Sequence, residues 1–195
     1  MMDDGTTVLV VDDEPDLADL YASWLRGEYD VRTAYGGGEA TGALGPEVDV
    51  ALIDRLMPRM PGEELLSYVR ESGYDCRVAI VTAVEPDFDI IEMGLDEYLV
   101  KPVQRNELTE VVDALVTRSK YDEKLREFFA LASKRATLQA EKGREELEES
   151  DAYAELADEF ERLRTELERT TDRLRPRDLE IEMRRLNRAP PEPGR

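Results

Sequence analysis

A chain of 195 residues with a formal net charge of −20 holds one full domain plus an appendage, or two small domains. It has no His and one Cys, Cys76, which excludes an internal disulfide, His-based zinc sites, Ser-His and Cys-His nucleophile pairs and any phosphohistidine within the chain. Residues 1–117 carry 26 acidic and 8 basic side chains, and residues 118–195 carry 20 and 18, so the first part repels phosphate backbones and the second attracts them little.

Of the 26 basic residues, 21 are Arg and 5 are Lys. An acid-rich, Lys-poor surface fits a protein kept in solution in concentrated salt, where screening removes most self-repulsion. The start, Met1-Met2-Asp3-Asp4, lacks the basic and apolar regions of a signal peptide, and no apolar run reaches membrane-spanning length. The expected protein is soluble and cytoplasmic, with no membrane insertion.

Val8-Leu9-Val10-Val11 reads as a first strand and ends in Asp12-Asp13-Glu14. Pro15 suits a first helical position, and Leu17, Leu20, Tyr21, Trp24 and Leu25 give an apolar stripe at helical spacing. Val31 to Tyr35 makes a second strand, closed by Gly36-Gly37-Gly38, and a short helix follows from Glu39 to Leu44. Val50-Ala51-Leu52-Ile53 is apolar on both faces, as a buried strand of a parallel sheet is, and runs straight into Asp54. Arg55-Leu56-Met57-Pro58 follows, and Pro61-Gly62 opens a third helix with Leu65, Leu66 and Val69 inward. Val78 to Val81 is a fourth strand ending in Thr82-Ala83, and Tyr98-Leu99-Val100 a fifth ending in Lys101-Pro102, with a helix from Asn106 to Val116 after it.

Strands alternating with helices predict an α/β fold, a doubly wound five-stranded parallel sheet. Right-handed crossovers then gather the carboxyl ends of the strands on one edge, with Asp12, Asp13, Asp54, Thr82 and Lys101. Carboxylates forced together repel one another unless a cation compensates. An all-oxygen site favours Mg²⁺. A carboxylate beside that ion is a nucleophile toward phosphorus, and a Lys ammonium and a Thr hydroxyl stabilise the transferring oxygens. Each feature alone has an ordinary role: Asp-Asp-Glu caps a helix, a strand-end Thr is structural, and Lys-Pro makes a turn. Four of them in this order, each after an apolar run, point to one site.

These motifs, Asp12-Asp13-Glu14, Asp54 with Met57-Pro58, Thr82-Ala83 and Tyr98-Leu99-Val100-Lys101-Pro102, resemble the receiver domain of two-component response regulators over residues 6–118. The resemblance implies a flavodoxin-like strand order of 2-1-3-4-5. It also implies Asp54 as phospho-acceptor, Asp13 as a direct Mg²⁺ ligand and Asp12 as one acting through water. Leu56 would offer its backbone carbonyl to the metal, Thr82 and Lys101 would sense the phosphoryl group, and Tyr98 would be the aromatic switch residue. Since the chain has no His, the donor phosphohistidine belongs to a partner histidine kinase. One departure stands out: Thr82 and Tyr98 are sixteen residues apart where the family has about nineteen, a deficit of about one helical turn, and Pro86 sits where a fourth helix should begin.

Beyond Pro102 no Gly or Pro occurs until Gly143, so the helix after Lys101 is expected to run on into the tail, unless Ser119 and Asp122 cap a fresh one. Tyr121, Leu125, Phe128 and Ala132 make one apolar seam; Tyr153, Leu156, Phe160, Leu163, Leu167 and Leu174 make a second. An antiparallel helical hairpin of the two is favoured over self-association of two chains. Tyr121-Asp122, Leu125 and Phe129-Ala130-Leu131-Ala132 resemble the HalX domain of haloarchaeal receiver proteins. The expected division is a receiver at 1–118, a HalX-like helical domain at 119–175, and a short basic helix and frayed tail at 176–195. The chain is expected to be a response regulator of a phosphorelay that takes up and hydrolyses its own acyl phosphate, rather than a dedicated enzyme. The alternatives are an interaction module that is not phosphorylated, which intact Asp13, Asp54 and Lys101 argue against, and a DNA-binding regulator, disfavoured by the tail's charge. An aspartyl-phosphate phosphatase would carry Asp-x-Asp after its first strand, where this chain has Asp-Asp. The output partner is left open.

Overall fold

The structure is a computed structural model and describes residues 5–171. The chain divides into two compact units between Ser119 and Lys120. In the first, β1 (Thr7–Val11), β2 (Asp30–Ala34), β3 (Val50–Ile53), β4 (Arg77–Thr82) and β5 (Glu97–Val100) form one parallel sheet in the order β2-β1-β3-β4-β5. Register pairs Val11 with Ile53, Ile53 with Ile80, and Thr82 with Val100, so the strands end together. Whatever follows each strand is delivered to one edge.

Alternation along the strands splits the core into two layers. Val8, Val10, Leu52 and Val81 face α1 (Pro15–Leu25) and the start of α4 (Arg105–Glu141), whose Leu108, Val112 and Leu115 are buried. Leu9, Val11, Ile53 and Ile80 face α2 (Gly37–Ala43) and α3 (Gly62–Glu71), with Leu65, Leu66 and Val69 inward. Pro15 is the first residue of α1, as its fixed φ favours. The inner stripe of α1 differs from the expected one. Ala18, Tyr21, Ala22 and Leu25, spaced three, one and three, are buried, and this face leaves Leu20 exposed. Gly37 and Gly38 belong to α2 instead of closing β2.

Between β4 and β5 there is no α-helix, only a 3₁₀ turn at Phe88–Ile91, none of whose residues is buried. The shortened segment at Pro86 therefore keeps a single turn. On the opposite edge from the strand ends, Asp96 is buried and accepts hydrogen bonds from Arg70 Nη2 (2.9 Å), Arg77 Nη1 (3.0 Å) and Val78 N (2.8 Å). Cys76 is buried next to this cluster, and burial pushes its thiol pKa up to about 12.

α4 is one unbroken helix of 37 residues, so Ser119 starts no new one. In the second unit its later part pairs with α6 (Asp151–Thr171), and α5 (Arg144–Glu148) lies in the connection. Phe128 stacks on Phe160 at 4.7 Å, and the Arg135 guanidinium lies 4.9 Å from the centroid of that same ring. Lys124 meets Glu166 at 2.7 Å and Gln139 meets the Tyr153 hydroxyl at 2.9 Å. Rising numbers on one helix against falling numbers on the other define an antiparallel hairpin, sealed by Leu131, Leu163 and Leu167. The second seam's Leu174, the helix end at Arg175-Pro176 and the basic helix expected at 177–187 lie outside the described residues.

Candidate functional site

Asp12 and Asp13 follow β1 and Asp54 follows β3, and one carboxylate oxygen of each lies within 4.8 Å of the others. Asp12 and Asp54 are buried, and Asp13 is partly open. Short backbone bonds fix this geometry. Asp54 N donates to Val11 O at 2.9 Å, tying the two strand ends together. Asp12 Oδ1 accepts from Glu14 N at 3.0 Å, and Asp54 Oδ1 accepts from Leu56 N at 3.1 Å. Each is an Asx turn that aims the carboxylate at the edge.

Lys101 reaches the cluster from the end of β5, held by its own N–H to Thr82 O at 2.8 Å. Its Nζ donates to Asp12 Oδ2 and to Asp54 Oδ2, both at 2.7 Å. Burial opposes the Lys101 charge, but the two hydrogen bonds outweigh it and hold the ammonium pKa above its ordinary value. Tyr21 on α1 stands close enough to feel Lys101, Asp12 and Asp54; burial pushes its phenol up. One ammonium among three carboxylates leaves an unbalanced, all-oxygen cluster. That donor set suits a hard divalent cation such as Mg²⁺.

Thr82 is the fully buried last residue of β4. Its Oγ1 accepts from Val84 N at 3.4 Å, and Val84 O accepts from the Tyr98 hydroxyl at 2.9 Å. Thr82 and Tyr98 are thus joined through one backbone residue. Leu56 has an exposed side chain beside this edge. Asp12, Asp13, Asp54 and Lys101 therefore meet directly, whereas Thr82 and Tyr98 are linked to each other through Val84 in the loop after β4.

Arg55, which reads in sequence as an ordinary loop residue, is the residue the motifs do not reveal. Its Nε donates to Glu63 Oε1 at 2.7 Å, and its Nη2 pairs with Asp89. The partners are 8 and 34 residues away, so no local signal announces them.

The loop from Asp54 to α3 closes on Gly62, whose N–H donates to Arg55 O at 2.9 Å. A Cβ at Gly62 would stand 2.2 Å from Asp54 O and 2.9 Å from Arg55 Cα. Both are backbone atoms, so the loop would have to move. Gly62→Ala should cost about 1–3 kcal/mol in a denaturant titration in high salt; an unchanged midpoint would show that the loop yields freely.

Two family descriptions match the sequence: the response regulator receiver domain over residues 8–113 and the HalX domain over residues 117–183. A putative transcriptional regulator of Haloferax volcanii is 48% identical over 182 residues, covering 93% of this chain and 30% of that protein. The response regulator SaeR of Staphylococcus aureus is 31% identical over 119 residues, 59% of this chain and 52% of that one. The chain thus spans about a third and about half the length of these relatives. Among solved structures, a CheY-like response regulator receiver domain protein of Methanospirillum hungatei gives a TM-score of 0.57 at 26% identity, covering 60% of this chain and 98% of that one. TrrA of Thermotoga maritima, solved in complex with Mg²⁺-BeF, gives 0.51 at 32% identity, covering 56% and 98%.

Proposed function

The chain belongs to the response regulator receiver family, with a HalX domain after the receiver, and from that premise we propose that Asp54 accepts a phosphoryl group from the phosphohistidine of a partner kinase. The observation that carries this reading is the Asp54 carboxylate itself. It is buried at a strand end, bonded to Lys101 Nζ at 2.7 Å, and clustered with Asp12 and Asp13. No helix among the described residues is long and apolar enough to cross a membrane.

In the transfer, a carboxylate oxygen of Asp54 forms a bond to phosphorus while the bond from phosphorus to the donor's imidazole nitrogen breaks, and the nitrogen leaves with the electron pair. Lys101 already sits on the nucleophile and stays with the transferring oxygens, whose negative charge it offsets. Thr82, whose Oγ1 accepts from Val84 N, donates its O–H to one of those oxygens, and Tyr98 follows through Val84. Asp13 and Asp54, with Asp12 through water and the Leu56 carbonyl, would hold Mg²⁺. When bound, that ion offsets charge on the phosphoryl oxygens. Hydrolysis restores the carboxylate: water attacks phosphorus, the acyl oxygen–phosphorus bond breaks and phosphate departs. The signal leaves through the helical tail, toward an output protein or a second copy of the tail.

The test is intact mass in high salt with Mg²⁺ and acetyl phosphate. The wild type should gain one phosphoryl mass, and Asp54→Asn and Asp13→Ala should gain none. Labelling of Asp54→Asn at the wild-type level would overturn the reading.

A further inference from the structure

We propose that Arg55 is a positioning residue that latches the segment between β4 and β5 to the first turn of α3, and so sets how readily Thr82 and Tyr98 rearrange when Asp54 is phosphorylated. The proposal rests on the phosphorylation of Asp54 put forward above. Its basis is one side chain, 14% exposed, that ties the loop after β3 to α3 and to the 3₁₀ turn. Nε and Nη2 meet Glu63 Oε1 at 2.7 and 2.6 Å on α3. Nη2 also pairs with Asp89 in the 3₁₀ turn.

Farther along, the segment is anchored by Arg70 Nε to Gly94 O at 3.0 Å and by Met93 and Leu95 against the core, but the 3₁₀ turn itself has little else. Phe88 and Ile91 are 85% and 71% exposed, and no residue of the turn is buried, so apolar packing does not fix its place. The ion pair to Asp89 is the strong contact between this turn and the loop that follows Asp54. Val84, which lies in that same segment, links Thr82 to Tyr98 by hydrogen bonds.

In the present arrangement both oxygens of Asp54 are engaged as those of a free carboxylate, Oδ1 with Leu56 N and Oδ2 with Lys101. Thr82 Oγ1 accepts from Val84 N and keeps its own O–H to donate, so a Thr82 side chain drawn to a phosphoryl oxygen pulls on Val84, which also carries the acceptor of Tyr98. The segment that holds Val84 and the turn then moves against the Arg55–Asp89 pair. A contact made in one of two arrangements and lost in the other sets their ratio. The Arg55–Asp89 pair therefore holds the protein in the free-carboxylate arrangement and slows phosphorylation.

The experiment compares initial rates of labelling by acetyl phosphate with Mg²⁺ in high salt, and amide hydrogen exchange of residues 84–92 without a phosphodonor. Arg55→Gln and Asp89→Asn should each raise the rate about fivefold and speed exchange. The double variant should go no further than either single one, and Glu92→Gln, which removes the same charge just beyond the turn, should change neither reading. Asp89 is exposed enough that its variant will fold. Rates and exchange for both single variants within twofold of the wild type would overturn the latch. If the wild type takes no label, the phosphorylation reading fails, and exchange decides whether Arg55 holds the turn.

Discussion

Asp96→Ala should lower the melting temperature by roughly 10–20 °C, as measured by calorimetry in high salt. The carboxylate is 1% exposed and faces two guanidiniums, of which that of Arg77 is 2% exposed. Its other oxygen accepts from Arg70 and from Val78 N at the start of β4. Removing one partner of a buried pair leaves the other's charge in a poorly solvated place, which costs about 3–5 kcal/mol. That is a large share of the roughly 5–15 kcal/mol that holds a domain together. Removing an acid from an exposed pair, as in Glu148→Gln, leaves Arg144 in water and should leave the melting temperature unchanged. A shift under about 2 °C for Asp96→Ala would mean that the cluster relaxes around the gap.

Lys101→Ala should slow labelling of Asp54 by about a hundredfold, as mutation of a preorganised donor at a transferring group does. Nζ holds Asp12 and Asp54 at once, so its loss returns two buried carboxylates to mutual repulsion and removes a cation from the nucleophile's side. The change separates two demands on the residue. Mg²⁺ should restore much of the lost thermal stability, because any cation relieves the repulsion. It should not restore the rate, because the ammonium's position against Asp54 is gone. A labelling rate within threefold of the wild type would remove Lys101 from the proposed transfer.

How far the sequence alone reaches follows from the range of each interaction. The run Val50 to Ile53 ending in Asp54 was legible because a strand buried on both faces leaves a continuous apolar signature. With the buried runs of β1 and β4 and the less buried strands β2 and β5, it specified the sheet and the edge on which Asp12, Asp54, Thr82 and Lys101 come to lie. The continuity of α4 was legible as an absence of breakers from Gln104 to Lys142, and the hairpin as two seams that neither helix could bury alone. Side-chain pairing was not. Asp96 reads as one more acid in a chain rich in them, and only packing places it between Arg70 and Arg77. Arg55 reads as a turn residue because Glu63 and Asp89 come together only in the folded chain. The exposure of Leu20 was missed for a smaller reason: Ala18 and Ala22, too small to mark a stripe by hydropathy, take the face that lets α1 lie close on β1 and β2.

The proposed site of phosphorylation can be read chemically. Borohydride reduces an aspartyl phosphate to homoserine, and peptide mass then gives its position. After treatment with acetyl phosphate and Mg²⁺ in high salt, homoserine should appear at residue 54 and at no other aspartate. Homoserine at Asp12 or Asp13, or a phosphoryl group that survives reduction on Thr82, would contradict the account.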